Sequence, residues 1–236
     1  LKGFRRLDRG TRAATAAHYG SVSAVTFAAA SEYLKVEGVA YAGYMAAIVA
    51  LMETPAIVTG LILAGRNTSE GRKGPNWALI REVLLNGTVV LLLGAFVIGV
   101  LTGDKGLQRI DVFVNPLFQG VLCLFLLEMG LVASRRLMDS NRLSPALVAF
   151  GVFMPLTSMM IAFGLCALLG VPPENRAMMA ILAASASYIA VPAAMSIALP
   201  KADAGVYLPL SIGVTFPFNI IVGIPLYLWA SQYLGG

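Results

Sequence analysis

The chain has 236 residues, of which 58% are hydrophobic and only 12% charged, and its mean hydropathy is +0.80. Soluble domains carry roughly 25% charged residues, so this set of side chains cannot cover a water-facing surface, and a soluble reading is excluded. The net charge of +5 therefore reads as membrane topology rather than as affinity for nucleic acid.

A helix needs about 20 mostly apolar residues to cross a bilayer. Seven segments meet or approach that requirement: 13–31, 41–64, 83–102, 113–133, 145–169, 178–199 and 206–234. The expected fold class is an all-α polytopic membrane protein. Of the 29 charged residues, 27 lie outside these segments, the exceptions being Glu53 and Glu128. Counting Lys and Arg in alternate gaps places thirteen on one face and four on the other. Short basic loops mark the cytoplasmic side, so Leu1 is expected inside and Gly236 outside. The chain opens on Leu1 without a signal-peptide core, and an upstream segment is expected. Cys123 and Cys166 each sit in an apolar run, where a disulfide framework is not expected.

The segment 65–82, rich in Gly, Asn, Ser and Pro, reads as a cytoplasmic linker between two units. On either side lies a weak internal repeat. Residues 17–65 and 181–232 each contain a short Ser/Gly/Ala-rich span followed by a longer one interrupted by proline. Ser21 and Ser23 align with Ser185 and Ser187 at an offset of 164, and Pro55 with Pro217 at 162. By the charge count the two copies enter the membrane from opposite faces. That is the mark of an inverted-repeat transporter, whose ligand sites lie where broken helices meet near the midplane.

In both short spans the hydroxyls stand at i and i+2, which do not share a face of a regular helix. Convergence on one ligand therefore requires an interruption. Gly20 and Pro192 are the expected breakers, and small residues that let helices pack closely are the alternative explanation. Glu53 precedes the Thr54-Pro55 pair inside an apolar run, and an intramembrane carboxylate is by default functional. Glu53, Thr54 and the corresponding Asn219 are candidate cation ligands, because freed carbonyls and hard oxygen donors suit a small cation. Glu128, near the cytoplasmic end of its span, is a weaker candidate of the same kind. Asn86, Asn115 and Gln119 are expected at the interface, and Pro209, Pro217 and Pro225 are expected to bend the last helix without ending it. No Lys or Arg lies in any span, so a lone anion would meet no side-chain cation. Half-helix N-termini and a co-bound cation would supply the compensation, which favours cation-coupled symport, or cation/proton antiport, over an anion uniporter.

The runs AHYGSVSAVTFAAASEYL, METPAIVT, VNPLFQGVLCLFLLEMGLVASRRL, AILAASASYIAVPAAM and TFPFNIIVGIPLYL resemble, in order, the SbtA-type sodium-dependent bicarbonate transporters. The resemblance implies ten spans in two inverted five-span repeats, with two discontinuous helices crossing near the site. This chain would hold the last seven: 1–64 as the end of the first repeat and 83–236 as the second. It implies sodium as the coupling ion, bicarbonate or a similar small anion as substrate, and uptake across the plasma membrane. A cytoplasmic PII-like regulator and a homo-oligomer are the partners it suggests. The substrate-binding residues carried over are Gly20, Ser21, Ser23, Ser185 and Ser187. The best-known members have an acidic residue after the second serine cluster and a Gly-Pro pair beyond it, where this chain has Tyr188 and Val191-Pro192. They also carry an acidic residue where this chain has Val132. Two readings from other classes are an intramembrane hydrolase pairing His18 with Ser21, which lacks a GxSxG frame, and a structural subunit.

Overall fold

The computed structural model describes residues 7–65, 87–138, 143–189, 191–192, 195–196 and 199–234. Those residues form helices, π-helical turns and short connections, with no strand among them. The elements in chain order are α1 (Arg9–Gly20), α2 (Ala24–Val36), α3 (Met45–Gly65), α4 (Gly87–Val112), a π turn (Phe113–Leu117), α5 (Phe118–Met138), α6 (Pro145–Leu168) and α7 (Pro173–Ala184). The last stretch is α8 (Ala204–Leu208), a π turn (Pro209–Thr215), α9 (Phe216–Phe218), a π turn (Asn219–Gly223) and α10 (Ile224–Leu234). Three stretches among the described residues are long and apolar enough to cross a bilayer: Gly94–Met138, Pro145–Leu168 and Ala204–Tyr233.

The two short helices α1 and α7 are largely buried, α1 packing on α3 and α8, and α7 on α6, α10 and α2. On α1, Thr11, Ala13, Ala14, Thr15, Ala17, His18 and Tyr19 are buried, and α7 buries seven of its 12 residues. The many alanines let neighbouring backbones approach closely, as membrane interiors require. The main core joins Val22, Ala30 and Leu34 to Met45, Val49, Met178, Ile181, Leu182 and Tyr227. By contrast, α4 and α5 carry their apolar side chains outward, Leu91, Ile98, Leu101, Leu124 and Leu127 among them.

Three features of the long helices bear on the expected interruptions. Between the third and fourth expected spans the chain kinks at Gly103, whose φ of 54° and ψ of −154° are non-helical, so one helix ends there and a second runs on to Val112. Asp104, Lys105, Arg109 and Asp111 lie in the second of these helices, so their charges begin where the apolar stretch ends, just past the kink. Helix α3 runs unbroken through Pro55, as membrane helices permit when neighbouring groups re-satisfy the backbone. The three prolines of the last stretch, as expected, do not end it; two π turns widen the helix around them.

Helix α1 begins at Asp8, whose carboxylate accepts from the N–H and the hydroxyl of Thr11. The same Thr11 hydroxyl oxygen accepts from the Asp203 N–H at 2.8 Å, tying the start of α1 to the start of α8. Partial burial pulls the Asp8 carboxyl upward, but the Thr11 bonds outweigh it and hold it below its ordinary 3.8. With the folded value depressed, the stabilisation is complete above pH 3.8 and is lost as pH falls through the lower folded value. Asp8→Ala is expected to cost about 1 kcal/mol at neutral pH, and the difference from the parent in thermal melts should vanish at acid pH.

Candidate functional site

Both short spans are interrupted at their serine pairs. Helix α1 ends at Gly20, Ser21 turns extended at φ −105° and ψ −179°, and α2 resumes at Ala24. Helix α7 ends at Ala184, with Ser185 extended at φ −79° and ψ 166°, and helical structure is regained at 191–192. The breakers are not the residues expected. Gly20 is the last helical residue of α1 rather than part of the break. Pro192 lies in the first turn of the resumed helix, where its missing N–H costs nothing. In each break the second serine bonds the start of the helix that follows. Ser23 Oγ accepts from Thr26 N–H at 3.0 Å, and Ser187 Oγ accepts from Val191 N–H at 3.3 Å. Serine competes with the backbone in this way at helix starts.

The breaks are joined to each other. Ser187 N–H donates to the His18 carbonyl at 2.9 Å. In the other direction Ser23 N–H donates to Ser185 Oγ at 3.0 Å, and Ser185 Oγ donates to the Leu182 carbonyl at 2.8 Å. Ser21, Ser23, Ser185 and Ser187 are all buried. The C-terminus of α7 is closed by Asn219, whose Nδ2 donates to the Ala184 carbonyl at 2.8 Å while its Oδ1 accepts from the Tyr227 hydroxyl at 2.8 Å. Beside the end of α1, Thr215 Oγ1 donates to the Gly151 carbonyl at 2.8 Å, so the Tyr19 hydroxyl is the donor in its bond to Thr215.

Among the described residues, three buried side-chain polar atoms lack a hydrogen-bond partner: His18 Nε2, Ser21 Oγ and the Tyr188 hydroxyl. All three belong to the breaks or the turn before them. Such groups are rare in folded proteins, and their gathering at one place marks a position where a ligand completes the bonding. His18 Nδ1 lies 2.7 Å from the Ala14 carbonyl. A carbonyl can only accept, so the proton is on Nδ1 and Nε2 is a bare acceptor. His18 and Ser21 form no hydrogen bond with each other, because Ser21 has left the helix. The nucleophile–base pair a hydrolase needs is therefore not assembled.

Gly20 is exposed between buried neighbours. With Ala17 it lines a cavity of about 380 Å³ whose opposite wall is Met52, Pro55, Ala56 and Thr59 of α3. None of the four serines is among its lining residues. Glu53 and Thr54 occupy the same stretch of α3, but their side chains lie outside the described residues. Glu128 is exposed on α5, and no hydrogen bond or ion pair joins it to the breaks. Asn115 is half-buried and Gln119 exposed, and they bond Lys35 and Glu32 near the end of α2. Asn86 lies outside the described residues. Sequence reasoning missed Tyr19, Thr215 and Tyr227, whose only signal was a hydroxyl in an apolar span, and it weighed His18 only as a base.

The chain matches the Na+-dependent bicarbonate transporter superfamily over residues 1–232. It belongs to that superfamily. No curated protein matches it. Membership in the bicarbonate transporter superfamily, together with the outward apolar helices, makes this a membrane transport protein. The paired breaks give a superfamily member of this kind neutral donors, freed backbone groups and no buried Lys or Arg among the described residues.

Proposed function

We propose that the protein is a sodium-coupled symporter that imports bicarbonate or a similar small anion across the plasma membrane, binding it where the two interrupted helices meet. The observation that carries this reading is the gathering at the breaks of the three buried side-chain polar atoms that lack a partner among the described residues. Ser21, Ser23, Ser185 and Ser187 frame the anion site, and Gly20 opens it toward the cavity beside α3. Glu53, Thr54 and Asn219 are the proposed cation ligands. Asn219 stands at the C-terminus of α7, the negative end of the helix dipole, where a cation is favoured.

The joined breaks also support the inverted-repeat reading. At the offset of 164, His18 corresponds to Leu182, Ser21 to Ser185 and Ser23 to Ser187. The carbonyl of His18 receives Ser187 N–H directly, and that of Leu182 is reached from Ser23 N–H through Ser185 Oγ. Ser23 and Ser187 each accept from a backbone N–H further along, three residues on in the first break and four in the second. On this reading 1–64 closes the first repeat, 65–82 is a cytoplasmic linker and 83–236 forms the second repeat.

The full-length protein in proteoliposomes should take up labelled bicarbonate when an inward sodium gradient is imposed, and accumulation should collapse with that gradient. Uptake indifferent to sodium would refute the proposal. Sodium-driven dissipation of a pH gradient without bicarbonate would point instead to antiport.

A further inference from the structure

Helix α5 turns one side inward and the other outward. Leu122 and Ala133 are buried, and Ala133 packs with Ile212 and Phe216 of the last stretch. On the outer side Leu124, Leu127, Leu131 and Met138 are exposed. With Arg135 they follow one another at steps of three and four residues, the spacing that keeps side chains on one face of a helix. Arg135 and Arg136 are exposed in the last turn of α5. Neither makes a hydrogen bond or ion pair among the described residues. Glu128, seven residues before Arg135, stands about 10 Å away along the helix axis and does not pair with it.

We propose that this end of α5 binds an anionic phospholipid, with the phosphate on Arg135 and Arg136 and an acyl chain along the stripe from Leu124 to Leu131. The length of the stripe argues for a lipid. Leu124 and Arg135 are about 16 Å apart along the helix, half of a hydrocarbon core about 30 Å thick. A chain of one leaflet therefore lies along the leucines with its headgroup level with the arginines. A guanidinium suits a phosphate because its planar fork bonds two of the oxygens. The end of α5 itself repels an anion, since its last carbonyls carry the negative end of the helix dipole, so the attraction rests on the arginines. A soluble acidic protein would use the two charges but not the exposed leucines. The site lies on the side of α5 opposite Val25 and Tyr188, which pack with Ala133, and it does not depend on what the protein transports.

The test is Arg135→Gln/Arg136→Gln in the full-length protein, melted in uncharged detergent with phosphatidylglycerol or with phosphatidylcholine of the same acyl chains. Both arginines are exposed, so without lipid the double variant should melt with the parent. Phosphatidylglycerol should raise the parent's unfolding temperature more than phosphatidylcholine does. In the double variant, the mole fraction of phosphatidylglycerol needed for half that rise should increase about twenty-five-fold, about fivefold for each basic side chain at an anionic headgroup. Arg135→Lys/Arg136→Lys, which keeps the charge, should recover most of the response. Arg109→Gln, which removes an exposed charge from α4, should leave it within about twofold of the parent. Equal rises with the two lipids, the result expected of a face that serves a soluble acidic partner, overturn the proposal. So does a double variant that responds as the parent does, or an Arg109→Gln protein that loses as much as the double variant. A rise of the same size with glycerol phosphate, which has the headgroup chemistry but no chains, refutes the lipid in favour of a free-anion site.

Discussion

Replacing Ser185 by alanine is expected to destabilise the protein, whereas replacing its counterpart Ser21 is expected to leave stability unchanged or slightly raised. The two serines occupy corresponding positions, yet their hydroxyls do different things. Ser185 Oγ is the acceptor for Ser23 N–H. Removing it strands a buried backbone donor, at a cost of about 1–3 kcal/mol. The Leu182 carbonyl keeps a second donor, Ser185 N–H at 3.1 Å, so the loss is confined to one group. Ser21 Oγ is buried at 2% exposure and bonds nothing, so its removal relieves an unsatisfied polar atom. For transport the expectation is different: Ser21→Ala should lower sodium-driven uptake at least as much as Ser185→Ala, because an unpartnered hydroxyl at the break is available to the anion. Thermal melts of the two purified variants, set beside their uptake rates, check both halves. A Ser21→Ala protein that melts well below the parent, or transports at the parental rate, would remove Ser21 from the site.

This asymmetry explains how much was legible in the sequence. The paired Ser-x-Ser pattern located both interruptions, because hydroxyls at i and i+2 make little sense on an unbroken helix. The pattern did not say which residue ends the helix. Gly20 and Pro192 carry the strongest conventional signals, but Gly20 remains helical and Pro192 restarts the second helix. Ser23 and Ser187 instead bond the backbone where helix resumes after each break. Pro55 misled in the same way, since a proline inside a long apolar helix bends or passes without ending it. Lys105 and Arg109 follow the kink at Gly103 and lie in the helix beyond it. What the sequence could not convey is which hydroxyls are already bonded. Asn219, chosen as a neutral oxygen, spends its amide hydrogens on Ala184, a contact between residues 35 positions apart that no local pattern encodes.

That contact supplies the second large expected effect. Gly223 lies one turn after Asn219, and a Cβ added there would stand 2.7 Å from Asn219 Oδ1 and 3.0 Å from the Tyr227 ring. Those are the two partners of the hydrogen bond that holds the Asn219 amide. Gly223→Ala must therefore push them apart, and because Tyr227 is fully buried in the main core the ring has little room to yield. Overpacking of this kind costs about 1–3 kcal/mol. The displacement reaches the transport centre through Asn219. Once the amide shifts, the Ala184 carbonyl at the end of α7 loses its donor, and the negative end of that helix is exposed to whatever cation sits at the break. Gly223→Ala should therefore lower thermal stability and also change the sodium dependence of uptake, although residue 223 touches no proposed anion ligand. Tyr227→Phe provides the control, since it removes the same hydrogen bond without the clash. If both variants shift the KM for sodium while Gly223→Ala alone loses the larger share of stability, Asn219 couples the last helix to the cation. If neither variant moves the sodium dependence, Asn219 serves only to cap α7.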